Sequence, residues 1–147
     1  MTPPGDPKTP PKVVLIYGVM GLSGFLGPVL AGVLTPGYRD LALRLLIAYA
    51  ALILSFLGGA RWGLTVARPE PSPLTVSLAM LPTLFALGLM MLPATLQSWQ
   101  IGGLVLGLTL QWLWDIRARG LPDWYPGLRT LLSGGAVAGL IAGALFL

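Results

Sequence analysis

The 147-residue sequence has no cysteine and no histidine. The first absence excludes disulfides, thiolate metal sites and iron–sulfur clusters; the second excludes an imidazole ligand, base or proton relay. Charge is scarce as well. Charged residues make up 10% of the chain, against 55% hydrophobic residues, and a soluble domain carries roughly 25% charge. The five carboxylates are Asp6, Asp40, Glu70, Asp115 and Asp123, and no two stand at a helical spacing suited to holding a metal or to acid–base work. An acidic cluster for a divalent ion is therefore not expected, which removes the central part of most membrane phosphotransfer mechanisms. No nucleophile–base pair, phosphate-cradling glycine loop or nucleic-acid-binding module is present. No cofactor is expected.

What the chain has instead is apolar length. From Pro71 to Trp114 it runs 44 residues without one ionisable side chain. As a single helix this run would measure about 66 Å, while the hydrocarbon core of a bilayer is about 30 Å thick. The run must fold back on itself, and Pro93-Ala94-Thr95-Leu96-Gln97-Ser98 in its middle is the natural turn. The remaining apolar stretches extend the pattern. The sequence predicts an all-α, polytopic membrane protein with five transmembrane helices in a compact bundle, spanning about 13–34, 41–60, 74–92, 96–114 and 130–147. The first stretch exceeds the apolar region of a signal peptide and lacks a clear cleavage site, so it reads as a retained helix. Residues 1–12 carry five prolines and no apolar run, the composition of a disordered tail.

Five spans put the termini on opposite faces. One face then holds Lys8, Lys12, Arg61, Arg68, Arg117, Arg119 and Arg129, and the other only Arg39 and Arg44. By the positive-inside rule the N-terminus is expected to be cytoplasmic and the C-terminus on the opposite side. In lipid, helices associate through close packing of small residues. Ala51, Ser55, Gly59 and Gly63 recur at i+4 along the second span, with Gly58 beside them. Gly135, Gly139 and Gly143 do the same along the fifth. Whether these ridges pack within one chain or between copies is left open by the spacing. Pro28 and Pro82 lie inside the first and third spans, where proline kinks a helix.

Ionisable groups at the membrane edge are the candidates for function. Arg61 closes the second span, Asp115 closes the fourth with Gln111 one turn below it, and Arg129 opens the fifth. Together with Trp62, Trp124 and Tyr125, and with Trp112 and Trp114 on the rim, they would make a polar cluster at the cytoplasmic edge. Its spare positive charge suits a phosphate or carboxylate. The competing reading is that arginines set orientation and the aromatics form an interfacial belt. Helical phase adds to that competition, because Arg61 shares its side with Ala50, Leu54 and Leu57, about 140° from the glycine ridge, and need not face the fifth span. Asp115 speaks for a site, since acids gain nothing from the positive-inside rule.

Two segments carry a resemblance. Leu54-Ser55-Phe56-Leu57-Gly58-Gly59-Ala60-Arg61-Trp62-Gly63 and Trp124-Tyr125-Pro126-Gly127-Leu128-Arg129 resemble a family of small multi-spanning membrane proteins of unknown function whose eukaryotic members are called transmembrane protein 69. The resemblance implies a multi-pass protein of a bacterial inner membrane and lends no biochemical activity. The expected function is thus a non-enzymatic scaffold or accessory subunit of the bilayer. It would bind an anionic lipid or a partner helix at its cytoplasmic edge, as a homo-oligomer or a subunit of a membrane complex. The alternative is a small oligomeric transporter or channel. An enzymatic role would have Asp115, as a lone acid or base, for its only foothold.

Overall fold

In a computed structural model that describes residues 8–147, the chain is helical throughout, with no strand among the described residues. Seven α-helices follow in order: α1 (Lys12–Gly21), α2 (Ser23–Leu34), α3 (Arg39–Val66), α4 (Pro73–Leu78), α5 (Leu81–Met90), α6 (Gln97–Ile116) and α7 (Tyr125–Phe146). Residues 1–7 of the expected tail lie outside the described residues; Lys8 and Thr9 form a turn and bend, and α1 begins at Lys12. Four helical segments are long and apolar enough to cross a membrane: Lys12–Leu34, Pro36–Val66, Pro73–Met90 and Tyr125–Phe146. The segment 96–114, expected as a further span, forms α6. This helix is 20 residues long, but Gln97, Gln100, Gln111 and Asp115 leave it without an 18-residue stretch as apolar as those in the other four segments.

Helix α3 is the axis of the fold and touches α2, α5, α6 and α7. Its inner face presents Leu46, Ala50, Ala51 and Leu54 to Phe25 and Val29 of α2, Leu104 and Leu108 of α6, and Ala136 and Leu140 of α7. The outer surface is apolar too: Leu52, Phe56, Leu84, Leu106 and Leu145 are more than half exposed. A molecule apolar on both its inside and its outside is one whose surroundings are lipid.

The breaks in the helices have local causes. The first span is interrupted at Leu22, not at Pro28, which stays inside α2. The Tyr49 hydroxyl donates to the Gly21 carbonyl at 2.7 Å. The Phe25 amide, the usual helical partner of that carbonyl, bonds to Leu22 at 3.0 Å instead. Phe25 and Tyr49 then meet edge to face at 5.1 Å. The third span does break at its proline. Pro82 has no N–H for the Leu78 carbonyl, and α4 ends at Leu78 while α5 starts at Leu81. The 44-residue run turns back at Met91–Leu96, with a 3₁₀ turn at Ala94–Leu96. There the Gln100 side-chain amide donates to the carbonyls of Leu89 and Leu92 at 3.0 and 3.2 Å. It adds a second donor to the Leu89 carbonyl, which also accepts from the Leu92 amide at 3.1 Å, and satisfies the Leu92 carbonyl in the turn after α5.

The glycines divide into packed and outward ones. A side chain at Gly135 would come within 2.8 Å of Leu22, and one at Gly139 within 2.7 Å of Phe25; Gly143 backs onto Leu46. On α3 it is Gly58 that touches a neighbour: a Cβ there would lie 2.8 Å from the Ala79 carbonyl and 3.0 Å from Pro82. Gly59 and Gly63 have nothing within 4 Å. The expected α3 ridge is therefore used within the chain only at Ala51 and Ser55, the latter 2.9 Å from Thr83 on α5. The packed face is rotated toward Ala50, Leu54 and Gly58.

Candidate functional site

That rotation decides where Arg61 points. Its phase partners Ala50 and Leu54 are 0% and 1% exposed, so the side of α3 that carries Arg61 is the inner one. The phase argument that Arg61 need not face the fifth span took a glycine ridge as the centre of the packed face; large apolar side chains hold that place, and Arg61 turns inward toward α6. α3 also continues past Ala60 to Val66. The Arg61 guanidinium comes to rest over the Trp114 ring of α6, 4.5 Å from its centroid. A cation over an indole face is drawn to the ring quadrupole.

Asp115 and Arg129 are both buried and face each other across α6 and α7. Helix α7 begins at Tyr125, so Arg129 lies within its second turn, directed inward rather than at the end of the helix. Arg129 Nε donates to Asp115 Oδ2 at 3.0 Å, and Nη2 lies 3.0 Å from the same oxygen. Gln111 Nε2, one turn back along α6, donates to Oδ1 at 3.0 Å. Both carboxylate oxygens are thus engaged, which offsets part of the cost of burying the charge. Ser133 Oγ is buried with no hydrogen-bond partner, and the buried Arg129 Nη2 makes its ion-pair contact with Asp115 without the alignment of a hydrogen bond. The charge of Arg61 acts on both Asp115 and Tyr125. Trp124 and Tyr125 lie ring against ring at 6.1 Å, half-buried. Trp62 is 42% exposed and turns outward. Of the six residues expected at one site, Arg61, Asp115, Tyr125 and Arg129 are brought together, Trp124 borders them, and Trp62 does not join.

The structure adds residues that sequence reasoning treated only as orientation signals. A pocket of about 480 Å³ is lined by Arg61, Arg68, Arg117 and Arg119, with Thr65 and Thr75 on its walls. It lies where the C-terminal ends of α3 and α6 meet the start of α4. Arg68 Nη2 donates to the Arg119 carbonyl at 3.1 Å, tying the two chain segments together. Among the described residues none of these four arginines is ion-paired with a carboxylate. Arg68 lies two residues past the end of α3, so no helical spacing marked it as a neighbour of Arg61. Next to the pocket, on the other side of Trp114, an apolar groove of about 690 Å³ runs between α3, α5 and α6. Among the described residues no group of three metal-ligating side chains comes together.

Comparison with known proteins agrees with this multi-helix architecture. The family model described as "Protein of unknown function (DUF3429)" matches residues 10–145. Transmembrane protein 69 of Xenopus tropicalis is 32% identical over 142 residues, covering 91% of this chain and 54% of that protein. Transmembrane protein 69 of Mus musculus is 31% identical over 125 residues, covering 81% and 50%. The chain spans about half the length of these curated relatives. No solved structure matches. With the family model covering nearly the whole chain, the chain belongs to the DUF3429 family of proteins of unknown function, and it is similar to transmembrane protein 69.

Proposed function

We propose that the protein is a non-enzymatic scaffold or accessory subunit of a bacterial inner membrane whose cytoplasmic edge binds an anionic lipid. In this reading α6 is a fifth span. It is about 30 Å long, and its buried polar residues Gln100, Gln111 and Asp115 face neighbouring helices rather than lipid. The N-terminus is then cytoplasmic, and every arginine of the pocket lies at that face.

The observation that carries the proposal is the gathering of Arg61, Arg68, Arg117 and Arg119 around one pocket with no carboxylate ion-paired to them among the described residues. Arginines that served only to orient the chain could each extend into water. Here a cation–π contact holds one and a hydrogen bond to a loop carbonyl holds another. Guanidinium groups fixed in this way offer a forked donor geometry to phosphate oxygens. Asp115 does not discharge the pocket, because its two oxygens are taken by Arg129 and Gln111. Its role is to hold α6 against α7 and so to set the position of Trp114 beneath Arg61.

Native mass spectrometry of protein extracted in mild detergent tests the reading. Wild type is expected to retain phosphatidylglycerol in preference to phosphatidylcholine. The Arg61→Gln/Arg68→Gln and Arg117→Gln/Arg119→Gln variants are each expected to lose that preference by about tenfold, the size of a lost charge-assisted hydrogen bond. Equal retention of both lipids by wild type, or an unchanged preference in both variants, overturns it.

A further inference from the structure

The arginine pocket and the apolar groove have common walls. On α3, Arg61 lines the pocket and Leu54, two turns back, lines the groove. On α4, Thr75 lines the pocket and Leu78, one turn on, the groove. On α6, Arg117 lines the pocket, while Trp114, Leu110 and Leu106 follow one another down the groove. Trp114 is the partition: one side of its indole carries the Arg61 guanidinium at 4.5 Å, and the residue itself closes the end of the groove. A single elongated ligand lying along α6 would therefore meet four cations at one end and hydrocarbon along the rest.

We infer that the anionic lipid bound at the arginine pocket lays one acyl chain in the groove between α3, α5 and α6, so that the site recognises an intact phosphate-bearing lipid and not a free phosphate. The inference rests on the lipid-binding reading above and adds where the lipid lies and what part of it is read. The groove wall is mostly leucine, with Pro82, Phe85 and Gly107, and its side-chain polar atoms are confined to Gln111 and the indole N–H of Trp114; the amide N–H of Gln111 is spent on Asp115. Water would find little to bond there. From Leu106 to Trp114 the groove follows α6 for about 12 Å, room for a substantial part of one acyl chain. Two local features keep it open. The Pro82 break separates α5 from α4, and the missing Cβ of Gly107, which would come within 2.7 Å of Leu54 and 3.1 Å of Phe85, lets those two side chains close on α6 as the groove's floor without a further side chain projecting into it.

The energetic contribution of the groove is limited by its solvent. An acyl chain entering it leaves hydrocarbon for hydrocarbon, so no hydrophobic gain accompanies the move and only close packing is left. Headgroup contacts dominate affinity, and the groove decides which chain-bearing molecules fit.

The test uses the purified, delipidated full chain in mild detergent, titrated with dioleoyl phosphatidylglycerol or with glycerol 3-phosphate, bound species being counted by native mass spectrometry. Wild type is expected to bind the lipid and to leave glycerol 3-phosphate unbound at the same concentration. Leu110→Trp and Leu84→Trp fill the groove from opposite walls at side chains 56% and 60% exposed, positions where a larger group does not enter the core. Each is expected to lower lipid binding about threefold, the scale of lost packing contacts. The Arg61→Gln/Arg68→Gln variant is expected to lower it about tenfold. Thermal unfolding of each variant reports whether the fold is kept, and the two groove variants stand in for each other if one is destabilised. Groove variants that bind like wild type while the arginine variant does not would overturn the groove and leave the lipid-binding edge standing. Glycerol 3-phosphate bound as well as the lipid would do the same. Unchanged binding in every variant would remove both.

Discussion

Removing the Asp115 carboxylate leaves the Arg129 guanidinium buried without its counter-charge. Asp115→Ala is therefore expected to destabilise the protein by about 3–5 kcal/mol. Adding Arg129→Met is expected to recover at least about half of that, because the pair is then replaced by apolar volume. Unfolding of the two variants in one detergent checks both numbers. Recovery would identify the ion pair as a positioning device; no recovery would assign Arg129 a further contact through Nη2. Tyr49→Phe makes a smaller change. It removes the hydroxyl that occupies the Gly21 carbonyl, costing about 1 kcal/mol, and hydrogen exchange at Phe25 should report a rearranged α1–α2 junction. Much of the residue scale was legible in the sequence. An acid at a membrane edge gains nothing from topology rules, which singled out Asp115, and Gln111 followed from one turn of helix. Arg68, Arg117 and Arg119 were not legible as a site, because what joins them is the meeting of two helix ends distant in sequence.

At the scale of the elements, the sequence spaced its small residues more clearly than it ranked them. Gly58, Gly59 and Gly63 all stood on or beside the expected ridge. Yet Gly58 alone of the three faces backbone, the Ala79 carbonyl between α4 and α5. Hydropathy could not distinguish them, because in lipid the outward face of a helix is as apolar as the inward one. Gly58→Val is expected to cost about 1–3 kcal/mol by forcing α3 from α5, while Gly59→Val should change stability by less than about 0.5 kcal/mol. Thermal unfolding of the two variants side by side decides the matter. A Gly59→Val loss as large as that of Gly58→Val would mean that a second chain covers the outer ridge. The proline readings differ in the same instructive way. Pro82 breaks its helix as the missing N–H requires, whereas Pro28 is accommodated and the break falls at Leu22, where a tyrosine from another helix claims a carbonyl.

For the whole molecule, composition settled the class: a chain with so little charge, apolar inside and out, belongs in a bilayer. The number of crossings was less legible, because α6 carries its polar residues on an inward face that a hydropathy average cannot separate from an exposed one. The absence of cysteine makes the orientation directly measurable. A lone cysteine in place of Arg119 is expected to react with a membrane-impermeant thiol reagent only after the cytoplasmic face is opened. One in place of Arg39 is expected to react from outside intact cells. The reverse pattern would invert the protein and put the arginine pocket on the opposite leaflet.

The two buried glutamines imply an order of assembly. Gln100 supplies the carbonyls at the end of α5 from within the same hairpin, so the turn of that hairpin is polar-satisfied as soon as both its helices leave the ribosome. Asp115 has no such provision. Its counter-charge is Arg129, synthesised fourteen residues later and carried on the last helix. Until α7 arrives, the carboxylate has Gln111 for a hydrogen bond and the charge of Arg61 nearby but no ion-pair partner, so α7 acts as the closing piece that lets α6 settle to its final depth. A nascent chain halted before Tyr125 should hold a complete α5–α6 hairpin with its far end unable to sink, a species that quality-control proteases of the membrane could distinguish from the finished protein by one unneutralised charge.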